Sequence, residues 1–315
     1  MLTVGVDIGG TNIGIGIVDD DHRVRARAKQ PTPQGGPDET VEVIVDAIRE
    51  ATGGEEIAAV GVGIPGAVRD GQVVRTPNLP GWEAPLEFAG PLGAALGVPV
   101  ALGNDVDVGL LGEFVAGTAR EGRNVMGVWL GTGIGGALIL EGRPYHGSGG
   151  AAGEFGHMTI DPNGPLCSCG HRGCIEAYAG RRSMTAAARA IADSGRATSL
   201  FAIQHHEHKE RATSKVWARA LDDGDEVATE LFDGAVEALG IGLASVANLL
   251  DATQGAGGGG MDEKLGDPLA ERIEEATRPW LFHANPDLRF AVSALGDDAG
   301  TVGAAALARA EVLTS

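Results

Sequence analysis

The chain carries the same glycine-turned hairpin twice. Val4-Gly-Val-Asp-Ile-Gly-Gly-Thr-Asn-Ile-Gly-Ile-Gly-Ile-Val-Asp-Asp20 aligns without a gap on Met126-Gly-Val-Trp-Leu-Gly-Thr-Gly-Ile-Gly-Gly-Ala-Leu-Ile-Leu-Glu-Gly142. Each copy reads as an apolar strand, a glycine-rich turn, a second apolar strand and an acidic turn. Any two glycine-turned hairpins look somewhat alike, but the gapless register favours duplication, and hence two domains of one ancestral fold. A length of 315 residues agrees with two domains on a prior of roughly 150 residues each. Strand patterns at Leu2–Asp7, Ile13–Val18, Arg23–Lys29, Ile57–Ile64, Val98–Leu102, Val125–Leu130 and Ala137–Leu140 are interspersed with helical ones. The helical patterns lie at Glu39–Thr52, Pro85–Leu96, Val106–Thr118, Arg181–Ser194, Asp225–Leu250, Pro268–Thr277 and Gly300–Val312. Alternation of this kind predicts an α/β class.

Charge narrows the partners. Asp and Glu number 43 against 24 Lys and Arg, a formal net charge of −19. A surface of that sign repels phosphate backbones, and no basic patch is visible in the sequence, so nucleic acid is not an expected partner. Lysine occurs only at positions 29, 209, 215 and 264, and aromatic residues make up 4%. An acid-rich, lysine-poor composition fits a protein kept soluble in very high salt, where screening removes self-repulsion. The plainer reading is an ordinary acidic enzyme. No run of about 18 apolar residues suggests a membrane span, and no secretory signal is visible at Met1, so the expected location is the cytoplasm.

Two segments satisfy G-x-G-x-x-G, Gly61-Val-Gly-Ile-Pro-Gly66 and Gly131-Thr-Gly-Ile-Gly-Gly136. A dinucleotide fold needs that motif to open a helix, and neither copy does. No Gly-Lys dipeptide occurs, which excludes a Walker A loop. Glycine-rich hairpin turns still offer converging backbone N–H groups to an anion, so one hairpin from each domain could grip a triphosphate. Asp7 ends the first strand at such a turn, where a carboxylate suits Mg²⁺, directly or through water. A purely structural hairpin remains the alternative for either loop. Cys167, Cys169 and Cys174 are the only cysteines. Their C-x-C-x₄-C spacing suits a tetrahedral metal lacking one ligand, whereas a disulfide would leave an odd thiol. His205-His-Glu-His208 has no trusted ligand spacing and reads as a solvated surface segment, and His171, inside the cysteine loop, is left unassigned.

Five motifs in order carry a resemblance: Asp7-Ile-Gly-Gly-Thr11, Asn104-Asp105, Leu130-Gly-Thr-Gly-Ile-Gly-Gly136, Gly153-Glu-Phe-Gly-His157 and Cys167-Ser-Cys-Gly-His-Arg-Gly-Cys-Ile-Glu176. Together they resemble the sugar-kinase branch of the ROK family, over nearly the whole chain. The resemblance implies a two-lobed, actin-like (ribonuclease H-like) ATPase fold of the α/β class, with ATP and a hexose in an interlobe cleft. It implies ATP-dependent phosphorylation of glucose at the 6-hydroxyl, with fructose, mannose or an N-acetylhexosamine as alternatives. Asp105 is then the general base. It follows an apolar strand and precedes a helical run, at the edge where α/β clefts form. Asn104 binds the sugar, although Asn-Asp equally suits a helix N-cap. Glu154, His157 and Glu176 are placed against the sugar, as are Gly66 and Asn78 in loops that turn geometry alone could also explain.

On the nucleotide side the resemblance gives Asp7, Gly9, Gly10, Thr11, Asn12, Gly131, Thr132, Gly133, Gly258 and Gly259. His157 joins Cys167, Cys169 and Cys174 in a structural Zn²⁺ site. The lobes are expected to divide near residue 118, with 119–299 as the second lobe and the helix from Gly300 returning to the first. A homodimer or larger homo-oligomer is implied. The family also contains sugar-responsive repressors, but these carry a helix-turn-helix before the first motif, and here six residues precede Asp7. A catalytically dead sugar sensor is disfavoured by the intact Asp105 and both hairpins.

Two departures stand out. Asp107 occupies a position the family usually gives to asparagine, putting a second carboxylate near the base. Asn248-Leu-Leu-Asp-Ala-Thr-Gln-Gly-Ala-Gly-Gly-Gly-Gly260 has no β-branched run before its glycines, so the strand expected there should be short or distorted, which puts the choice among ATP, ADP, GTP and polyphosphate in question.

Overall fold

The computed structural model describes residues 1–315 except Asp70, Pro77, Asn78, Ala84, Ala284, Pro286, Thr314 and Ser315. The expected sugar-side residue Asn78 therefore lies outside the described residues. Its strands and helices run β1 (Leu2–Ile8), β2 (Asn12–Val18), β3 (Val24–Pro31), α1 (Pro37–Thr52), β4 (Ile57–Ile64), β5 (Ala67–Arg69), β6 (Gln72–Arg75), β7 (Leu86–Glu87), α2 (Ala89–Leu96), β8 (Val100–Asn104) and α3 (Asp105–Ala116). They continue with β9 (Val125–Leu130), β10 (Ile134–Leu140), β11 (Arg143–Pro144), α4 (Ile175–Ala179), α5 (Arg181–Asp193), α6 (Leu200–His206), α7 (Ser214–Asp222) and α8 (Glu226–Leu250). The chain closes with β12 (Gln254–Gly258), α9 (Gly260–Leu265), α10 (Asp267–Thr277), β13 (Arg289–Val292) and α11 (Ala299–Val312).

One five-stranded sheet has the order β3-β2-β1-β4-β8 and a second the order β11-β10-β9-β12-β13. In both, the strand that opens a repeated hairpin is flanked by its antiparallel hairpin partner and by a parallel strand (β1 by β2 and β4, β9 by β10 and β12). The repeat seen in sequence is thus a repeat of sheet topology. The chain divides into two compact units, one made of Met1–Gly122, Leu138–Ala152 and Ala294–Ser315, the other of Arg123–Ala137 and Gly153–Ser293.

This division differs from the expected lobes chiefly at Leu138–Ala152, which groups with the first unit. The reason is local. His146 Nδ1 lies 2.7 Å from Asp107 Oδ2, and Gly150 approaches the Val68 carbonyl so closely that a Cβ would sit 2.5 Å from its oxygen.

In the first unit, β1 and β4 are buried along most of their length and carry Val4, Val6, Val60 and Val62 into the core, as strands covered on both faces do. β3 alternates half-buried with exposed residues, placing Arg25, Arg27 and Lys29 outward on the sheet edge. The last helix, α11, lies against β1, β4 and α3 by backbone contact. A Cβ on Gly5 would fall 1.7 Å from the Thr301 carbonyl oxygen, and one on Gly61 1.7 Å from that of Ala304. Only small residues permit that approach, which explains why the buried face of α11 reads Gly300-Thr-Val-Gly-Ala-Ala-Ala306.

In the second unit, α8 is the core helix. It is long and apolar enough to cross a membrane, but Phe232, Leu239, Leu243 and Val246 are buried within the unit. Sequence patterning anticipates most long elements and misses α6 and α7 together with the short β5, β6, β7, β11, β13, α4 and α9, and it begins α2 four residues early because Leu86–Glu87 pair with β6. The strand expected before the glycines is short, five residues, and is built from the glycines themselves without distortion of its register. β12 keeps a continuous parallel register from Gln254↔Val125 to Gly258↔Trp129 on one side and pairs with β13 on the other. Its side-chain-poor sequence holds because large neighbours occupy the space. A Cβ on Gly255 would lie 2.1 Å from the Phe290 ring and one on Gly258 2.5 Å from the Trp129 indole.

Candidate active site

Three parallel strands bring two carboxylates together in the first unit. Asp7 lies near the C-terminal end of β1 and pairs in register with Gly63 of β4, which pairs with Gly103 of β8. Asp105 follows β8 directly as the first residue of α3. Gly63 separates them: a Cβ there would sit 3.5 Å from the Asp105 Cα and 3.7 Å from Asp7 Oδ1. Burial pushes Asp105 up to about 6, partly opposed by the Val106 N–H it accepts at 3.0 Å, with Asp107 adding to the rise. Burial, with the charges of Asp105 and Asp297 adding to it, pushes Asp7 up to about 7. A carboxylate in that range is a proton acceptor close to neutrality.

Asn104 is the N-cap of α3. Its Oδ1 accepts from the N–H groups of Val106 at 2.8 Å and Asp107 at 3.1 Å, while Nδ2 donates to the Gly66 carbonyl at 2.7 Å. The capping alternative is therefore real, and it fixes Gly66 and the start of α3, with Asp105, on one support. Gly66 has φ +120 and would place a Cβ 2.0 Å from the Arg75 carbonyl oxygen, so only glycine fits. The first hairpin turn is closed by the Gly9 N–H donating to the Asn12 carbonyl at 2.9 Å, and Thr32 Oγ1 donates to the Gly9 carbonyl at 2.6 Å. Gly10, Thr11 and Asn12 are left exposed at its tip.

The second unit holds the other residues expected at the sugar and at the nucleotide. Its hairpin is closed one residue tighter, Gly131 N–H to Gly133 carbonyl at 3.0 Å. Glu176 Oε2 accepts from the Ile134 N–H at 2.9 Å, and Ser168 Oγ donates to Glu176 Oε1 at 2.9 Å. Glu176 thus ties the cysteine loop to the glycine hairpin. A Cβ on Gly133 would lie 2.3 Å from Glu176 Oε2, which is why glycine occupies that turn position. Glu154 is exposed at the start of the short 3₁₀ turn Phe155–His157. Gly259, at φ +92, turns the chain out of β12 against the Leu130 backbone.

His157, Cys167, Cys169 and Cys174 converge, their ligand atoms all within 4.8 Å of one another. Cys167 Sγ lies 3.8 Å from His157 Nδ1 and Cys169 Sγ 3.7 Å from Cys174 Sγ. Tetrahedral zinc with Zn–S near 2.3 Å sets ligand separations of ~3.8 Å, so the donor set fits the metal. The His171 backbone N–H pulls the Cys169 thiol down, whereas burial pushes Cys174 up. A divalent cation is what makes a full set of thiolates tolerable there. His157 turns Nδ1 to the cluster. His205 and His206 end α6 as exposed residues, apart from any ligand cluster.

Two partnerships were not visible in sequence. His146 pairs with Asp107, and the pairing raises His146 above its ordinary value. Arg181 reaches back to the second hairpin and donates to Thr132 Oγ1 at 3.0 Å, across a separation of 49 residues. An Arg-Arg pair in so acidic a chain was the only sequence signal.

Compared with known proteins, residues 3–311 match the ROK family. A glucokinase of Streptomyces coelicolor is 37% identical over 314 residues, 98% of each chain. The chain belongs to the ROK family. Among solved structures, a ROK family glucokinase from Streptomyces griseus in complex with glucose and AMPPNP superposes with a TM-score of 0.82 at 33% identity, covering 98% of this chain and 100% of that one. A ROK hexokinase from Thermus thermophilus gives 0.83 at 32% identity over 100% of both. This ROK protein accordingly has the two-lobed, actin-like α/β fold, and the duplicated sheet order is its signature.

Proposed function

We propose that this ROK protein is an ATP-dependent glucokinase, a hexose kinase that phosphorylates the 6-hydroxyl of glucose. The observation that carries the reading is Asp105, a recessed carboxylate at the C-terminal end of β8 whose pKa stands near 6. In the forward step the 6-hydroxyl gives its proton to Asp105 as its oxygen bonds to the γ-phosphorus. The bond from phosphorus to the β,γ-bridging oxygen breaks, and ADP leaves with that electron pair.

Asn104, held by its cap, and Gly66 orient the sugar beside the base. Glu154, His157 and Glu176 contact its other hydroxyls, where paired hydrogen bonds discriminate epimers. The turns Gly9–Asn12 and Gly131–Gly133, with Gly258 and Gly259, receive the nucleotide. Mg²⁺, when bound, neutralises charge on the phosphoryl group. Asp7 is the residue that would hold it, and the repulsion that Asp105 and Asp297 exert on Asp7 is a condition a cation relieves. Zn²⁺ on His157, Cys167, Cys169 and Cys174 would hold the Glu154 and Glu176 segments to one point. A cytoplasmic location and a homodimeric or larger assembly go with this reading.

Replacing Asp105 with Asn tests it. Turnover on glucose should fall at least ~100-fold, the scale of general-base catalysis, while glucose binding persists. Turnover close to wild type would overturn the assignment.

A further inference from the structure

Several arginines of this chain answer carboxylates. Arg27 is held by Asp298, Arg196 by Glu230, Arg219 by Asp223 and Arg272 by Asp233. Arg181 is different. It is half-buried, and its hydrogen bonds go to two hydroxyls, Nη1 to Ser214 Oγ at 2.7 Å and Nη2 to Thr132 Oγ1 at 3.0 Å. Among the described residues no carboxylate pairs with it. Burial, with the charge of another cation, Arg211, lowers the Arg181 pKa.

Leaving a guanidinium half-desolvated without a counterion is costly, and the cost is unusual where acidic side chains outnumber basic ones 43 to 24. The surroundings indicate which kind of anion would suit it. Thr132 is the middle residue of the second glycine turn. The first amides of α5 are fixed to that turn, Arg181 N–H to the Gly131 carbonyl at 3.3 Å and Arg182 N–H to the Thr132 carbonyl at 3.1 Å. On its other side, a Cβ on Gly260 would sit 2.9 Å from Ser214 Oγ and 4.0 Å from Arg181 Nη1, so the glycine segment after β12 borders the same guanidinium.

We infer that Arg181 is a phosphate-binding residue of the donor nucleotide, its remaining N–H donors meeting the polyphosphate chain between the Gly131–Gly133 turn and the Gly258–Gly260 segment. A planar fork of donors matches phosphate oxygens, and one already held by two hydroxyls loses little freedom on binding. Arg211 adds positive charge to the same spot. The inference deepens the kinase reading and rests on it.

The test is calorimetric titration of the zinc-loaded full chain with AMPPNP, ADP and adenosine, for wild type, Arg181→Gln and Arg181→Lys. Arg181→Gln should weaken AMPPNP about 10- to 100-fold, the range of a lost charge-assisted bond, and leave adenosine and glucose affinity within about twofold. Arg181→Lys, which keeps the charge and loses the fork, should fall between. Unchanged AMPPNP affinity in either variant would overturn the inference. Equal losses for AMPPNP and adenosine would also overturn it, because a merely structural role weakens both alike. If Arg181→Gln does not fold, the comparison of Arg181→Lys with wild type decides by the same ratio. A wild-type chain that binds no AMPPNP and phosphorylates no sugar would fail the kinase reading itself, a result distinct from any of these.

Discussion

At the scale of single residues, the site turns on how carboxylates are kept apart from their ordinary behaviour. Asp105 titrates near 6 because burial disfavours its charge. On the proposed role of Asp105 as general base, the raised pKa leaves it protonated, and idle, below that pH. The acid limb of kcat/KM on glucose should therefore bend near 6, with about a tenth of the plateau remaining at pH 5. Asp107 modulates this. Its charge raises Asp105, and His146, bonded to Asp107 at 2.7 Å, offsets that charge when protonated. Glu311 on α11 also faces His146 and favours its protonated form, and Arg69 borders the same cavity of about 470 Å³. Replacing His146 with Gln leaves Asp107 uncompensated, so the acid limb should move to higher pH. Replacing Asp107 with Asn removes the repulsion and should not move it that way. A pH profile with the same limb in both variants would contradict this coupling. Asp107 was legible as a departure from the family pattern, but its partner, 39 positions away, was not.

At the scale of elements, the sequence was readable where periodicity is strong and silent where packing substitutes for it. β1, β4 and β9 are continuous apolar runs and were placed within a residue. β12, Gln-Gly-Ala-Gly-Gly, carries no strand propensity. It forms because Phe290 and Trp129 fill the volume its own side chains leave, a tertiary fact no local pattern carries. The cysteine loop is the opposite case, since three thiols in eight residues announced the cluster and the structure brings His157 to it. One zinc per chain should be found in protein purified without chelator, and stripping it should weaken glucose binding, because the Glu176 carboxylate is bonded to Ser168 inside the loop. Metal analysis giving no zinc in folded protein would contradict the assignment.

At the scale of the whole molecule, the duplicated hairpin was the strongest clue, and the two five-stranded sheets with matching order bear it out. The boundary could not be read as closely, because Leu138–Ala152 is recruited to the first unit by contacts to Val68 and Asp107 that leave no local trace. The net charge of −19 acts on the molecule as a unit. Along α8, Glu226, Glu230, Asp233 and Glu237 form one solvent-facing stripe at helical spacing, only part of it answered by Arg196 and Arg272. Like charges so spaced repel, and salt shortens their reach from ~30 Å at 0.01 M to ~3 Å at 1 M. The melting temperature should therefore climb steadily between low-salt buffer and molar KCl. Identical melting at both extremes would show that the acidic surface is not an adaptation to salt.

The most direct measurement of the central claim is a coupled phosphorylation assay on the zinc-loaded chain with MgATP in molar KCl, offered glucose, mannose, fructose and N-acetylglucosamine in turn. The expected result is 6-phosphorylation with the highest kcat/KM on glucose. Folded protein that transfers phosphate to none of the four sugars would contradict it.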